Sequence, residues 1–264
     1  MENGEIPRDR KAFEIGRVIT DTFALMGNQA FIVFTVAAIV ILPSRMFLIS
    51  IPYLVTELKV TSMPSAVSIS AIPAALIVII MAIFGQGALI GAVLTHRRGG
   101  KPKLRETLFP ALKRFPAIAA VAMLACLGEC VGLLFLIVPG VIATLIWLVA
   151  GPTLIAERTS VVGAFRRSQT LTDDLLGRIF LLLLVAGLGL VAYWFIAQFL
   201  GRLAFDTGSD ALDYPFTPGP FLFSTLTKLL STAFGLSLNC TLYAVLVEAR
   251  GDGPIREHLT HIFE

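Results

Sequence analysis

The chain has 264 residues, 56% hydrophobic and only 15% charged, with a mean hydropathy of +0.84 and a formal charge of +3. That composition excludes an ordinary soluble domain and reads as an integral membrane protein. The longest hydrophilic interval, residues 95–115, leaves no room for an extramembrane catalytic domain, which needs at least about 50 residues, so any chemistry sits in or at the membrane.

Residues 1–28 are expected to form a cytoplasmic amphipathic helix. Ala12, Ile15, Gly16, Ile19, Phe23 and Met26 fall on one side, while Arg10, Glu14, Arg17 and Asp21 follow at three- or four-residue steps on the other and can pair. The apolar side lies in lipid or against the bundle; a polar extension of the first span is the alternative. The mixed charge and the long apolar run that follows point to a retained anchor rather than a cleaved signal.

The fold expected from the apolar runs is an all-α, polytopic transmembrane helix bundle of about six spans with amphipathic interfacial helices. The spans cover approximately 29–55, 69–94, 116–138, 141–156, 177–203 and 221–247, before a tail at 251–264. Pro43 in the first span predicts a kink ahead of Arg45. In the second, Gly87 and Gly91 have the spacing that lets two helices approach closely. The third and fourth are joined at Pro139-Gly140 with no charge at the tip, so a full pair of crossings and a shallow or re-entrant hairpin both fit.

Charge decides orientation. Of the 21 Lys and Arg residues, seventeen fall in the N-terminal segment, the 96–114 loop, the 157–178 segment and the tail after Val247. The opposite loops hold only Lys59 and Arg202, so both termini are expected in the cytoplasm. The basic 96–114 loop has few aromatic residues and borders a membrane face, which fits lipid or topology and not nucleic acid.

Two constellations stand out. The first is Glu157 at the end of the fourth span, followed by a short helix from Ser160 to Thr172 with a hydroxyl cap, Val161, Ala164, Phe165, Ser168 and Leu171 toward one face, and Arg166 and Arg167 elsewhere. Those arginines can hold lipid phosphates or pair with Glu157, and they also satisfy the positive-inside bias without a further role. The second is charge within the spans. Arg45, Glu129 and Lys228 fall at similar depth in the outer half, and Ser224, Lys228, Ser231, Gly235 and Asn239 share a face of the sixth span. Together they can form a polar site with a positive surplus, or Arg45 and Lys228 can snorkel outward while Glu129 is paired or neutral.

Pro139-Gly140, Pro152, Glu157, Ala164, Arg166-Arg167-Ser168 and Leu171-Thr172 occur in an order that resembles the membrane domain at the N-terminus of some bacterial glycerophosphoryl diester phosphodiesterases. The pattern is similar also to stand-alone YciC-like inner-membrane proteins. The matching residues span about 40 positions. The resemblance implies a six-helix bundle in the bacterial inner membrane, but not phosphodiester hydrolysis, which belongs in those enzymes to a separate barrel domain. Asp173 and Asp174 stand where the family pattern has basic and glycine residues, which weakens any carry-over of anionic-lipid binding there.

No cofactor or metal is expected. His258 and His261 are two candidate ligands without a carboxylate, and Cys126, Cys130 and Cys240 lie in apolar runs where a thiol packs as a small apolar group. The functions left are a non-enzymatic inner-membrane protein that binds lipids, anionic ones included, or organises the membrane as a subunit for a protein partner or a second copy of itself; a small transporter or channel-like protein; and, more distantly, a membrane-embedded enzyme using Glu129 with Cys126 or Cys130.

Overall fold

The computed structural model describes residues 14–57, 77–93, 103–135, 137–205 and 218–250. Residues 1–13, 58–76, 94–102, 136, 206–217 and 251–264, which include His258 and His261, lie outside the described residues, as do the side chains of Glu129 and Cys130. Every regular element among the described residues is helical. In chain order they are α1 (Ile15–Asn28), α2 (Ala30–Glu57), α3 (Ile77–Val93), α4 (Leu104–Lys113), α5 (Phe115–Phe135), α6 (Ile137–Trp147), α7 (Ala150–Ala156), α8 (Val161–Thr172), α9 (Leu176–Phe205) and α10 (Pro218–Arg250).

Three stretches are long and apolar enough to cross a bilayer: Val138–Ala156, Val161–Phe205 and Gly219–Arg250. α1 with Ala30–Pro43 makes a fourth if that pair, bent by 94°, is counted as one span. α3 and the Phe115–Gly128 part of α5 are apolar but shorter. α9 shows most plainly what solvent this surface suits. It is 30 residues long, yet only Ile179, Leu182, Ala186 and Ala197 are buried, and Leu188, Phe195, Phe199 and Leu203 are each more than 60% exposed. A helix apolar on every side and covered on one suits hydrocarbon.

α10 is the spine of the bundle. From Leu236 through Val247 all its residues are buried, against α1, α2, α7 and α9. α1 lays Val18, Thr22 and Leu25 inward; Thr22 and Thr241 share a hydroxyl hydrogen bond of 2.8 Å, and the Phe23 and Phe234 rings lie 5.6 Å apart. The apolar side of this amphipathic helix is therefore covered in large part by the bundle. Gly87 of α3 is a close-approach position: a Cβ there would lie 2.7 Å from Ile155 Cγ1 of α7.

α5 and α6 pack as a hairpin, and Pro139-Gly140 sit in the first turn of α6. Proline is tolerated there because its missing N–H would have no intrahelical partner. The two helices touch through glycines: a Cβ on Gly132 would lie 2.8 Å from Gly140 Cα, and one on Gly128 would run into the Trp147 ring. Gly128-xxx-Gly132 is the small-residue spacing that lets backbones meet in lipid, here serving contact within one hairpin.

Candidate functional site

The apolar stretch Val138–Ala156 is broken between α6 and α7, and its residues say why. Pro152 has no N–H to give the carbonyl four residues back, so the helix opens at Leu148 and Val149 between α6 and α7. In an apolar bundle the freed groups need partners. Asn239 of α10 donates its Nδ2 to Leu148 O at 3.2 Å, Ser168 of α8 donates its hydroxyl to Ile146 O, and Thr153 Oγ1 donates to Ala150 O at 2.8 Å. Three side chains from three helices thus seal the break.

α7 is only seven residues long and wholly buried. It ends at Glu157, followed by Arg158 at φ 48, a left-handed position that costs a residue with a Cβ about 1 kcal/mol and lets the chain turn off the helix. Arg114, at the junction of α4 and α5, stabilises this end. Its guanidinium donates to Leu154 O at 3.0 Å, in the last turn of α7, and to Arg158 O at 3.0 Å and Thr159 O at 3.2 Å in the segment that follows. α8 begins at once, with Ser160 Oγ accepting from Gly163 N at 3.2 Å, and buries Ala164, Ser168, Leu171 and Thr172. Phe165 packs edge-on against Trp147, ring centroids 5.3 Å apart.

Within this frame Arg167 turns inward. Its Nε lies 3.0 Å from each oxygen of Glu157, and Tyr243 of α10 donates its hydroxyl to the same carboxylate at 3.2 Å. The Glu157 and Arg167 side chains are 27% and 28% exposed. Arg166, one residue earlier, is exposed, and so is Val162, four residues before that, at 60%. Of the residues singled out in the sequence, Glu157 and Arg167 are brought together, Ser168 is spent on the α6 backbone, and Arg166 faces outward.

Neither a family model, nor a curated protein, nor a solved structure matches the chain.

The same end of the bundle carries two further ion pairs. Arg17 of α1 meets Glu248 of α10 at 3.0 Å, and Arg250 meets Asp174, just past α8, at 3.1 Å. Asp174 thus links the start of α9 to the end of α10.

The intramembrane set is divided. Arg45 of α2 donates from Nη2 to Ser224 Oγ of α10 at 2.8 Å, with its guanidinium 5.6 Å from the Phe221 ring centroid. Lys228 lies one turn on, exposed. Ser231 returns its hydroxyl to Lys228 O at 3.0 Å. Asn239 is 15 residues beyond Ser224, about 22 Å along the helix, at the α6–α7 break. Arg45 and Asn239 therefore belong to different places.

Arg114, Tyr243 and Thr153 were not singled out from the sequence. Arg114 stood in a run of seven cations, and Tyr243 is an aromatic residue in an apolar span. The available signals were Pro152 and the short α7: a helix that stops inside a bundle needs cationic or hydroxyl donors from elsewhere. Among the described residues no group of three His, Cys, Asp or Glu side chains could hold a metal.

Proposed function

We propose that this chain is a six-span protein of the bacterial inner membrane with both termini in the cytoplasm, and that it acts without catalysis as a lipid-interacting, membrane-organising or partner-binding subunit, with α8 as its contact helix. The observation that carries this reading is the division between neighbouring arginines. Arg167 anchors α8 through Glu157, while Arg166 faces out one turn after the exposed Val162. An apolar side chain followed by a cation on a helix fixed at the end of a span suits the boundary between acyl chains and phosphates. The seventeen-to-two bias of cations supports the orientation. The resemblance of residues 139–172 to the membrane domain named above supports the span count and the inner-membrane assignment.

Arg166→Ala tests the lipid contact without disturbing the Glu157 pair. Retention of phosphatidylglycerol by the purified protein, read by native mass spectrometry, is expected to fall about fivefold, the effect of one interfacial cation. Equal retention by the variant and the wild type overturns the role of α8.

A second reading, a small transporter or channel-like protein, draws on one observation: the break at Leu148 and Val149 faces Asn239, whose Oδ1 is buried without a described partner. Broken helices of this kind frame substrate sites in secondary transporters. Ser231→Cys and Gly235→Cys report on it, since a water-filled path along that face admits a membrane-impermeant thiol reagent; failure of both to react removes the reading.

A further inference from the structure

The far end of α10 has a property that its other end lacks. Arg45 reaches Ser224 of α10, Lys228 stands one turn further along the same helix face, and no carboxylate among the described residues pairs with either. A guanidinium has five N–H donors and an ammonium three. The one hydrogen bond described for the Arg45 guanidinium goes to Ser224 Oγ, whose own proton is given to Phe221 O at 3.0 Å, and Arg45 Nε is buried with no partner. Phe221 holds the guanidinium from one side. Two cations on one helix face with unused donors are unfavourable where the dielectric is low, unless an anion joins them.

Depth and shape narrow the choice of anion. α10 has 33 residues and is about 50 Å long, roughly 20 Å more than the hydrocarbon core, so Ser224, about 10 Å from its start, lies near the hydrocarbon edge where phosphates are found. Phe221, Ser224, Lys228, Ser231 and Gly235 share one face of the helix, and a Cβ added at Gly235 would meet nothing within 4 Å. This face therefore leads from the cations toward open space deeper along α10. A carboxylate offers two oxygens and is satisfied by one guanidinium, whereas a phosphate spreads more acceptors over enough width to meet both a guanidinium and an ammonium.

We infer that Arg45, Ser224 and Lys228 form a phosphate-binding site at the α2–α10 junction, on the side of the membrane opposite α8, occupied by a phospholipid headgroup or by free phosphate. The site is independent of the role given to α8, and the variants keep the two apart. Native mass spectrometry of the full chain in detergent, with phosphatidylglycerol added, compares the wild type with Arg45→Gln, Lys228→Gln, the double variant and Arg166→Ala. Each single far-end variant is expected to lose about fivefold in lipid occupancy and the double variant more than tenfold, additively with Arg166→Ala. A parallel arm measures the unfolding temperature with inorganic phosphate. A rise in the wild type that Lys228→Gln abolishes, with no lipid effect, assigns the site to free phosphate. Lys228 is exposed, so its variant remains informative if Arg45→Gln fails to fold. Unchanged lipid occupancy in Lys228→Gln together with no phosphate-dependent shift in the wild type overturns the inference. Lipid loss in Arg166→Ala alone, with no phosphate-dependent shift in the wild type, overturns it while leaving the role of α8 intact.

Discussion

The two ends of α10 treat arginine in opposite ways. At its finish, Arg17 has Glu248, Arg250 has Asp174, Arg167 has Glu157 with Tyr243 alongside, and Arg114 has three carbonyls. Those cations hold helices to one another. At its start, Arg45 has a hydroxyl and an aromatic face, with Lys228 one turn further along α10. The number of cations near a membrane face therefore says less than their partners do. A cation with a fixed carboxylate or carbonyl is a structural tie, and one with spare donors is open to a ligand.

Substitutions that remove partners sharpen this contrast. The largest loss is expected for Glu157→Ala, which strands Arg167 half-buried and leaves the Tyr243 hydroxyl without its acceptor. About 2 kcal/mol is expected after allowing for partial exposure, read as reversible unfolding in mixed micelles, and Glu157→Ala/Arg167→Met should recover most of it. Arg114→Ala exposes three carbonyl acceptors at the end of α7 and should cost about 1.5 kcal/mol; Arg114→Lys should not restore it, because one ammonium cannot span the same three positions. Asn239→Leu leaves Leu148 O unmet at the break and should cost about 1 kcal/mol, in the range of interhelical hydrogen bonds in lipid. Asp174→Asn, which removes a carboxylate that is 82% exposed in its pair with Arg250, should cost under about 0.5 kcal/mol, with the difference from wild type vanishing at high salt. If Asp174→Asn proves as damaging as Glu157→Ala, burial is not what separates these sites.

The helices and the buried face of α8 were legible in the sequence because they rest on local rules. Long apolar runs mark α2, α9 and α10. The Ser160 cap and the 161, 164, 165, 168, 171 spacing place α8, whose buried set includes Ala164, Ser168 and Leu171. The Glu157–Arg167 pair was one of two options for those arginines, because a sequence cannot say which of two neighbouring cations turns inward. Arg114 was illegible for a different reason: it lies 40 residues from Leu154, and its acceptors are backbone atoms that carry no residue signature. Grouping Asn239 with Arg45 and Lys228 followed helical periodicity, which reports a shared face and not a shared depth. Pro139-Gly140 was read as the turn itself because proline and glycine punctuate chains, but a proline in a first helical turn produces the same signal one residue group later.

The most direct test of the division between structural and open cations is a thermal unfolding comparison of wild type, Glu157→Ala and Lys228→Gln in lipid-free detergent and then with phosphatidylglycerol or inorganic phosphate added. The account predicts that Glu157→Ala lowers the midpoint in both conditions. It predicts that Lys228→Gln matches the wild type without lipid and loses most of the gain that phosphatidylglycerol or inorganic phosphate gives. A Lys228→Gln midpoint that falls as far as that of Glu157→Ala without lipid, or gains equal to those of the wild type with both phosphatidylglycerol and inorganic phosphate, would contradict it.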